Sequence, residues 1–404
     1  MTKDRLLYDV PANVGMDAKV LERIDDLVED AIQQKAIPGC QILIAKDSKI
    51  VLDKAYGYQT YDSLLPVTKN TIYDLASLTK VLATTQGIMY LAEKDSIDLD
   101  KPLSFYLDYL QGTNKDDITT REILAHHAGL YPYLPFWRKV KEIFPLLDSA
   151  RDNTVQIEDN LWVDITVKDS LIYWAAHSDL VEDRFDTLSY DQYIYSDIGF
   201  YFLKDLIEER TNRKLDEFLN TELYKPLGIG LMYNPLEHHK KITIAPTEFD
   251  SQLRNELLRG YVHDRNAALM DGIAGQAGLF GSSKDIAIVL QMHLNNGSYD
   301  DHQYYKPETI QQFNKRHFDH NRRGLGWDKP GNGNNGPVSK LASEETFGHS
   351  GFTGAAIWAD PKENLIFVFL SNRVYPSAEN TKLIDMNTRT RIHDLVYKAI
   401  LRGD

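Results

Sequence analysis

A serine and a lysine lie three residues apart in the stretch DLASLTKVLATT, and side chains of these types can form a nucleophile and its proton partner. Ser77-Leu78-Thr79-Lys80 is the only S-x-x-K in the chain. A serine hydroxyl is a poor nucleophile until a neighbouring group takes its proton, and a lysine does so if burial or a nearby charge lowers its pKa. The alternative is a helix N-terminus with one exposed lysine, and the pair by itself favours that alternative.

The residues after Ser77 predict a helix that starts near it. Apolar side chains follow with polar ones between them: Val81, Leu82, Ile88, Met89 and Leu91. Residues i and i+3 of a helix are neighbours at about 5–6 Å between Cβ atoms, so the Lys80 ammonium can reach the Ser77 hydroxyl. Free backbone N–H groups at a helix N-terminus also favour a developing oxyanion.

Two later triplets offer a proton carrier and an oxyanion clamp. Tyr195-Ser196-Asp197 precedes a predicted amphipathic helix, and His349-Ser350-Gly351 precedes a predicted strand. Y-x-D also occurs at Tyr106 and Tyr299, and a typical tyrosine is a packed ring with a satisfied hydroxyl, so the first triplet is not specific by itself. His349 stands in the only H-[ST]-G of the chain.

The order of these motifs resembles the serine hydrolases of the class C β-lactamase and penicillin-binding-protein type, which carry S-x-x-K, Y-x-N and then K-[ST]-G or H-x-G. Further segments with the same resemblance cover most of the chain: PGCQILIAKDSKIVLDKAYGY, ITTREILAHHAGL (118–130), GIAGQAGLFGSSKDIAIVLQM (272–292) and GLGW (324–327).

The resemblance implies a role for each motif residue. Ser77 becomes the acylated nucleophile and Lys80 shares its proton network. Tyr195 acts as general base in acylation and as general acid toward the leaving group, with its pKa lowered by Lys80. Asp197 hydrogen-bonds Lys80 or a substrate amide.

The third motif is implied to bind the reacting carbonyl. The backbone N–H groups of Ser77 and of Phe352, the residue after His349-Ser350-Gly351, form the oxyanion hole. His349 lies at the edge of the site, where it positions substrate or tunes Tyr195.

Two positions depart from the family pattern. Asp197 replaces the more usual asparagine; a carboxylate favours the charged form of Lys80 and raises its pKa, which transfers the role of base to Tyr195. His349 replaces the lysine of β-lactamases, and no K-[ST]-G exists in the chain. A histidine with its ordinary pKa of about 6.5 is mostly neutral at pH 7. In relatives, H-x-G accompanies esterases and D-amino-acid peptidases.

These motifs predict a serine hydrolase that acts through an acyl-enzyme on a small ester, amide or D-amino-acid peptide. One alternative is a β-lactamase or D-Ala-D-Ala carboxypeptidase. Another is a penicillin-binding module that does not hydrolyse its ligand. A small molecule or short peptide is therefore the expected substrate, and neither a cofactor nor a metal is expected.

Composition limits the partners and the compartment. The 59 acids outnumber the 45 bases and give a net charge of −14, so no nucleic-acid footprint is expected. No run reaches the ~18–20 apolar residues of a membrane span. The N-terminus MTKDRLLYDVPANVG has no signal-peptide core, and Cys40 is the only cysteine. We expect a cytoplasmic protein, or an extracytoplasmic one if a leader was removed. The oligomeric state stays open.

Both chain ends predict a helix and antiparallel strands. Residues 16–35 have the apolar spacing of a helix. Two hairpins are predicted, one from CQILIAK and IVLDKAYGY and the other from GAAIWAD and LIFVFLSN. Residues 379–401 are predicted to form a final helix, with these apolar candidates: Ile384, Ile392, Leu395, Val396 and Ile400. The expected fold is α+β (α/β sandwich) and β-lactamase/transpeptidase-like: a central antiparallel sheet from both ends, flanked by terminal helices, with a large all-helical insertion. We expect an α/β sheet domain from residues 1–76 and 272–404, a mainly helical domain from 77–271, and the active site in the groove between them.

Four smaller features remain open. Residues 331–336 spell G-x-G-x-x-G, but flanking prolines and the lack of a preceding strand argue against a nucleotide loop. His126 and His127 are expected to pack or to cap a helix end. Gln276 either lines the pocket rim or belongs to an ordinary loop. Residues 126–144 form a lid, ordinary helix packing or a dimer surface.

Overall fold

The computed structural model describes residues 5–181, 193–331 and 338–401. Apart from Gly331, the G-x-G-x-x-G stretch lies outside these residues. The strands are β1 (Leu7–Tyr8), β2 (Gly39–Lys46), β3 (Lys49–Gly57), β4 (Tyr73–Asp74), β5 (Thr154–Glu158), β6 (Leu161–Asp164), β7 (Phe249–Asp250), β8 (Glu256–Leu257), β9 (Phe280–Gly281), β10 (Ser298–Tyr299), β11 (His302–Gln303), β12 (Phe347–Ser350), β13 (Ala356–Asp360) and β14 (Leu365–Ser371).

The α-helices are α1 (Ala18–Gln33), α2 (Thr85–Glu93), α3 (Thr120–Leu124), α4 (Phe136–Ile143), α5 (Val167–Ala176), α6 (Ile198–Thr211), α7 (Leu215–Leu219), α8 (Lys225–Leu227), α9 (Arg265–Ala268), α10 (Ser283–Leu294), α11 (Pro307–Asn314), α12 (Lys382–Asp385) and α13 (Thr388–Lys398). Wider π-helical turns at Lys80–Thr84 and Asn220–Tyr224 lead into α2 and α8. None of the helices in the described ranges is long and apolar enough to cross a bilayer.

The central sheet joins the two ends of the chain. Its strand order is β1-β3-β2-β14-β13-β12, and every pair is antiparallel except β1 with β3. The two predicted hairpins, β2–β3 and β13–β14, meet where β2 pairs with β14. Because this junction lies inside the sheet, both strands are buried along almost their whole length. This confirms the predicted sheet and the predicted fold class.

Alternate residues of β14 face two different cores, which explains its continuous apolar sequence. Leu365, Phe367 and Phe369 pack with α1 and α13. The intervening Ile366, Val368 and Leu370 pack on the opposite face, in the larger core that includes α10 and the helical insertion. The sheet is therefore covered on both sides.

Two predicted elements differ from the structure. The helix expected over 379–401 is divided into α12 and α13, because Asn387 adopts a left-handed conformation with φ +50°. As a result Ile384 on α12 is 47% exposed and contributes no core contact, whereas Ile392 and Val396 on α13 are buried.

The prediction of an all-helical insertion was also wrong in detail. Its β5 and β6 form a hairpin around Asp159-Asn160, and β7 pairs with β8. Val155, Ile157 and Val163 alternate along the first hairpin and bury their side chains, so the short β-branched run favours strands over a helix turn. The insertion is mainly helical.

Candidate active site

The backbone just before Ser77 makes an unusual turn. Strand β4 ends at Asp74, and Ala76 has a positive φ of 46°, a conformation that costs a residue with a Cβ on the order of 1–3 kcal/mol. The buried Asp74 carboxylate accepts hydrogen bonds from the N–H of Ala76 at 2.8 Å and of His263 at 2.7 Å. These bonds hold the turn that presents Ser77 at the start of the helix.

Lys80 lies on the next turn, fully buried, and its three ammonium protons find three acceptors. Its Nζ is 3.1 Å from Ser77 Oγ, 3.3 Å from the Gln276 carbonyl oxygen and 2.6 Å from Asp197 Oδ1. The predicted contact between Ser77 and Lys80 is therefore present, and so is the expected proximity of Asp197. An ammonium group has three donors and no acceptor, and Tyr195 is a further partner of this one.

The ion pair sets the charge of Lys80. Burial is the largest single influence and opposes the charged form, but Asp197 and Tyr195 together outweigh it, and the pKa of Lys80 lies above its ordinary value. Lys80 therefore donates a hydrogen bond to Ser77 and has no lone pair with which to take the serine proton. That Asp197 weakens Lys80 as a base stays a prediction, and the raised pKa of Lys80 is consistent in direction with it.

Tyr195 lies above this pair, between two histidine rings. Its ring centroid is 4.9 Å from Lys80 Nζ, 4.5 Å from the centroid of His126 and 5.9 Å from that of His349. The segment that carries Tyr195 is anchored through Ser196, whose N–H donates to His126 Nδ1 at 3.1 Å and whose hydroxyl donates to the Tyr131 carbonyl at 2.6 Å.

His126 is nearer to the site than expected. We expected it to pack or to cap a helix end; its ring packs against Tyr195 at an interplanar angle of 37°, and its backbone has φ +53°. Burial, reinforced by the charges of Arg323 and Lys80, holds its pKa well below the ordinary value. His127 behaves as expected and stacks on Phe318, with ring centroids 4.1 Å apart.

His349 is buried at the end of β12, not merely at the edge of the site. Burial and the nearby charges of Arg323 and Lys80 lower its pKa to about 3, so it is neutral at pH 7. Its Nδ1 lies 2.8 Å from the Ser350 carbonyl oxygen, which can only accept, so the ring proton is on Nδ1. His349 therefore brings no positive charge to the cleft.

The residues after His349 pass close to the turn that carries Ser77. A Cβ on Gly351 would lie 2.7 Å from the Leu75 carbonyl oxygen, so only glycine permits this approach. The Thr353 hydroxyl donates to the Asp74 carbonyl oxygen at 2.8 Å and ties the two segments together. The backbone N–H groups of Ser77 and Phe352 donate no hydrogen bond to any residue in the described ranges.

Six of the predicted site residues line one open cleft of about 390 Å³: Ser77, Tyr195, His349, Ser350, Gly351 and Phe352. Lys80 and Asp197 lie beneath it. The side chain of Gln276 is buried and directed at Asp264, 3.4 Å from its Oδ1, so Gln276 supports Lys80 through its carbonyl and does not form the rim. None of residues 126–144 lines the cleft. Helix α4 packs internally, with the backbone N–H of Trp137 donating to Asn266 Oδ1 at 3.1 Å.

Four arginines that were not predicted as site residues also line the cleft: Arg322, Arg323, Arg373 and Arg389. Two of them form the dipeptide directly before GLGW, which was the available signal. The strongly acidic composition gave no reason to look for a local cluster of cations.

The chain matches known proteins over most of its length. The family model described as Beta-lactamase matches residues 24–386. A relative from Salmonella agona (strain SL483), named "Putative D-alanyl-D-alanine carboxypeptidase", is 32% identical, with 92% of this chain and 87% of the relative covered.

Two solved structures share the fold. One, described as a class C beta-lactamase, has a TM-score of 0.67 and 17% identity, with 96% of this chain and 98% of that chain covered. The other, EstCE1, described as a hydrolase with promiscuous acyltransferase activity, has a TM-score of 0.64 and 19% identity, with 94% and 99% covered. Since the family model and the relative each span nearly the whole chain, this protein belongs to the β-lactamase family of serine hydrolases.

Proposed function

We propose that this serine hydrolase uses Ser77 to form an acyl-enzyme on a small ester, amide or D-amino-acid peptide. The observation that carries the proposal is the 3.1 Å contact between Ser77 Oγ and Lys80 Nζ at the base of a cleft that Tyr195 also lines. A nucleophile, a fixed cation and a proton carrier come together from distant parts of the chain, as nucleophilic catalysis requires.

In acylation, Ser77 Oγ attacks the substrate carbonyl carbon and its proton passes to the oxygen of Tyr195. Because Lys80 is paired with Asp197, we assign the role of proton acceptor to Tyr195, which lines the cleft together with Ser77. The phenolate that receives the proton faces two fixed cations, Lys80 at 4.9 Å and Arg323 at 5.4 Å from the ring centroid. The negative charge that develops on the carbonyl oxygen is stabilised by the N–H groups of Ser77 and Phe352.

Collapse of the tetrahedral intermediate breaks the bond to the leaving group, which takes the proton from Tyr195. A water molecule then attacks the acyl carbon and gives its proton to Tyr195. When the second intermediate collapses, Ser77 leaves as the alcohol with that proton, and the enzyme returns to its starting state. Every proton transfer passes through Tyr195, from Ser77 to the leaving group in acylation and from water back to Ser77 in deacylation, so one proton carrier serves both halves of the reaction.

Within this class, peptides with a C-terminal D-amino acid are the second candidate substrate. The name of the Salmonella agona relative supports them, at 32% identity over nearly the whole chain. Esters are supported by the neutral His349, which lacks the fixed charge that β-lactamases place at this position.

We also propose the domain division given by the sequence, with residues 1–76 and 272–404 as one unit and 77–271 as the other. It is supported by the origin of the central strands at both chain ends. The cytoplasmic location stays a prediction.

The decisive experiment replaces Ser77 by alanine. Turnover of a p-nitrophenyl ester and labelling by a fluorophosphonate probe should both disappear in Ser77→Ala, with intact mass spectrometry locating the adduct in the wild type. The matched control is Ser149→Ala, because Ser149 is exposed and hydrogen-bonds only Asp148 among the described residues. Full labelling of Ser77→Ala would refute the proposal.

A further inference from the structure

One residue outside the cleft contacts both segments that supply the proposed oxyanion hole. His263 lies two residues before α9, far from Ser77 and from Phe352 in the sequence. Its backbone N–H donates to Asp74 Oδ2 at 2.7 Å. Its imidazole ring packs on the ring of Phe352, with centroids 5.6 Å apart and an interplanar angle of 27°. His263 does not line the cleft in the described part of the chain, so its influence on the reaction passes through these neighbours.

The contact with Asp74 leads to the nucleophile. The other carboxylate oxygen of Asp74 accepts from the N–H of Ala76 at 2.8 Å, in the left-handed turn directly before Ser77. The donor on His263 is the backbone N–H, which every residue except proline has. This contact is therefore kept when the side chain at position 263 is replaced.

The contact with Phe352 leads to the second oxyanion donor. Phe352 is 53% exposed, so burial in the protein core does not fix its ring. Besides His263, Arg373 contacts this ring, with its guanidinium carbon 4.7 Å from the centroid. A cation at this distance from an aromatic ring is attracted to the face of the ring. Two side chains thus hold the residue whose N–H is a proposed donor to the oxyanion.

The imidazole of His263 is itself held in place. Its Nε2 lies 2.9 Å from Glu248 Oε2, and a carboxylate can only accept, so Nε2 carries a proton. The other oxygen of Glu248 accepts from the N–H of Ala378 at 3.1 Å, and Arg373 donates to the carbonyl oxygen of Ala378 at 3.1 Å. Both groups that contact Phe352 are therefore tied to Ala378. The side chains of His263 and Glu248 are only 11% and 14% exposed, which limits their movement.

We propose that His263 is a positioning residue that holds Phe352, and with it the backbone N–H of Phe352, in the geometry of the oxyanion hole. The inference rests on the proposed function, because it takes the N–H groups of Ser77 and Phe352 as the donors to the developing oxyanion. Ring and amide belong to the same residue, so a ring that is free to move allows the amide to move. A displacement of about 1 Å at a reacting centre costs up to about 100-fold in rate.

The test replaces the ring and leaves the backbone contact with Asp74 intact. In His263→Ala, kcat for a p-nitrophenyl ester should fall about 10- to 100-fold. KM should change by less than about twofold, because an oxyanion donor acts in the transition state and not in the ground state. His263→Phe supplies a ring that can pack on Phe352, and it should return kcat to within about threefold of the wild type. His263→Leu fills the space without a ring and takes the place of His263→Ala if that variant does not fold.

A boronic acid distinguishes a positioning role from a general structural defect. Phenylboronic acid adds to Ser77 Oγ with release of the serine proton and gives a tetrahedral anion that resembles the intermediate. Its inhibition constant should rise in His263→Ala by about the same factor as kcat falls. Urea unfolding checks that the variant is folded under the conditions of the assay.

His177→Ala is the matched control. The ring of His177 packs on Tyr173 with centroids 4.1 Å apart and an interplanar angle of 30°, at the end of α5, and does not line the cleft. This variant loses a comparable ring contact and should keep the wild-type kcat and the wild-type affinity for the boronic acid.

The outcomes separate the two proposals. Wild-type kcat and boronate affinity in a folded His263→Ala or His263→Leu, with turnover that still depends on Ser77, overturn the positioning role and leave the proposed function intact. A loss of kcat that His263→Phe does not restore also refutes the role, because ring packing is then not its cause. Absence of Ser77-dependent turnover in the wild type overturns the proposed function itself.

Discussion

Asp197 Oδ1 lies 2.6 Å from the Nζ of Lys80, and the lysine side chain is completely buried. Since the second motif of related hydrolases usually ends in asparagine, this chain has placed a full negative charge where most have an amide. The consequence is a lysine that stays charged, which is why we propose that Tyr195 moves the proton. Four predictions follow from this site and its supports.

Asp197→Asn should destabilise the protein by ~3 kcal/mol at pH 7, because a buried ammonium loses its counter-ion. The pKa of Lys80 is raised in the folded state. The contribution of the Lys80–Asp197 pair to stability is therefore fully present at pH values below 10.5, the ordinary pKa of lysine, and is lost only at higher pH. Urea unfolding at pH 7 measures the change. Asp100→Asn is the control, because the Asp100 side chain, which pairs with Arg121, is 65% exposed. This substitution should cost less than ~1 kcal/mol. Equal losses in the two variants would contradict the assignment.

His349→Gln should make stability less sensitive to acid. The pKa of His349 is about 3 in the folded protein, and an unfolded histidine titrates near its ordinary value of 6.5. The unfolded chain therefore binds the proton first, and wild-type stability falls as pH drops below 6.5. At pH 5 the contribution of one such histidine is about 2 kcal/mol. Denaturant unfolding at pH 7 and at pH 5 measures how much unfolding free energy is lost between the two, and this loss should be smaller in His349→Gln than in the wild type by about 2 kcal/mol. The exposed His302→Gln should behave like the wild type.

His126→Asn should lower kcat about tenfold with little change in KM, because the ring that packs at 4.5 Å against Tyr195 is removed. Asparagine tolerates the positive φ of 53° at this position, so the backbone is preserved. Steady-state kinetics on a p-nitrophenyl ester give both constants. The neighbouring His127→Asn, whose ring contacts Phe318, serves as control. A normal kcat in a folded His126→Asn would show that the ring does not position Tyr195.

Gly351→Ala should reduce kcat/KM by about 100-fold, because the new Cβ would lie 2.7 Å from the Leu75 carbonyl oxygen and displace the Phe352 amide from Ser77. Gly230→Ala is the control, since its nearest heavy atom would be an ordinary 3.7 Å away. Unchanged ester turnover in Gly351→Ala would rule out an oxyanion hole that needs this close approach. Circular dichroism should confirm that both variants fold.

The parts that the sequence predicted well are those decided over a few residues. The spacing of Ser77 and Lys80 follows from one helical turn, and the two hairpins follow from apolar strands around short polar turns. The prediction was wrong where the local sequence did not clearly distinguish two structures. Asn387 divides the last helix into two, and the run around Asp159 forms a hairpin in a region expected to be helical.

The long-range relationships could not be read in the same way. Arg323 and His126 are separated by nearly 200 residues in sequence, yet both pack against Tyr195. Nothing in the local composition of either segment marks it as part of the site, because burial and neighbouring charge arise only when the elements pack together.

By itself, the sequence determined the chemical types and the order of the reactive groups, together with the strands and helices that present them. Tertiary structure alone decided the complete burial of Lys80 against Asp197, the lowering of the His349 pKa to about 3 and the positive charge of the cleft. The physical reason is that covalent connectivity sets geometry within a turn or a hairpin, whereas pKa values and electrostatic fields depend on desolvation and on charges from distant segments.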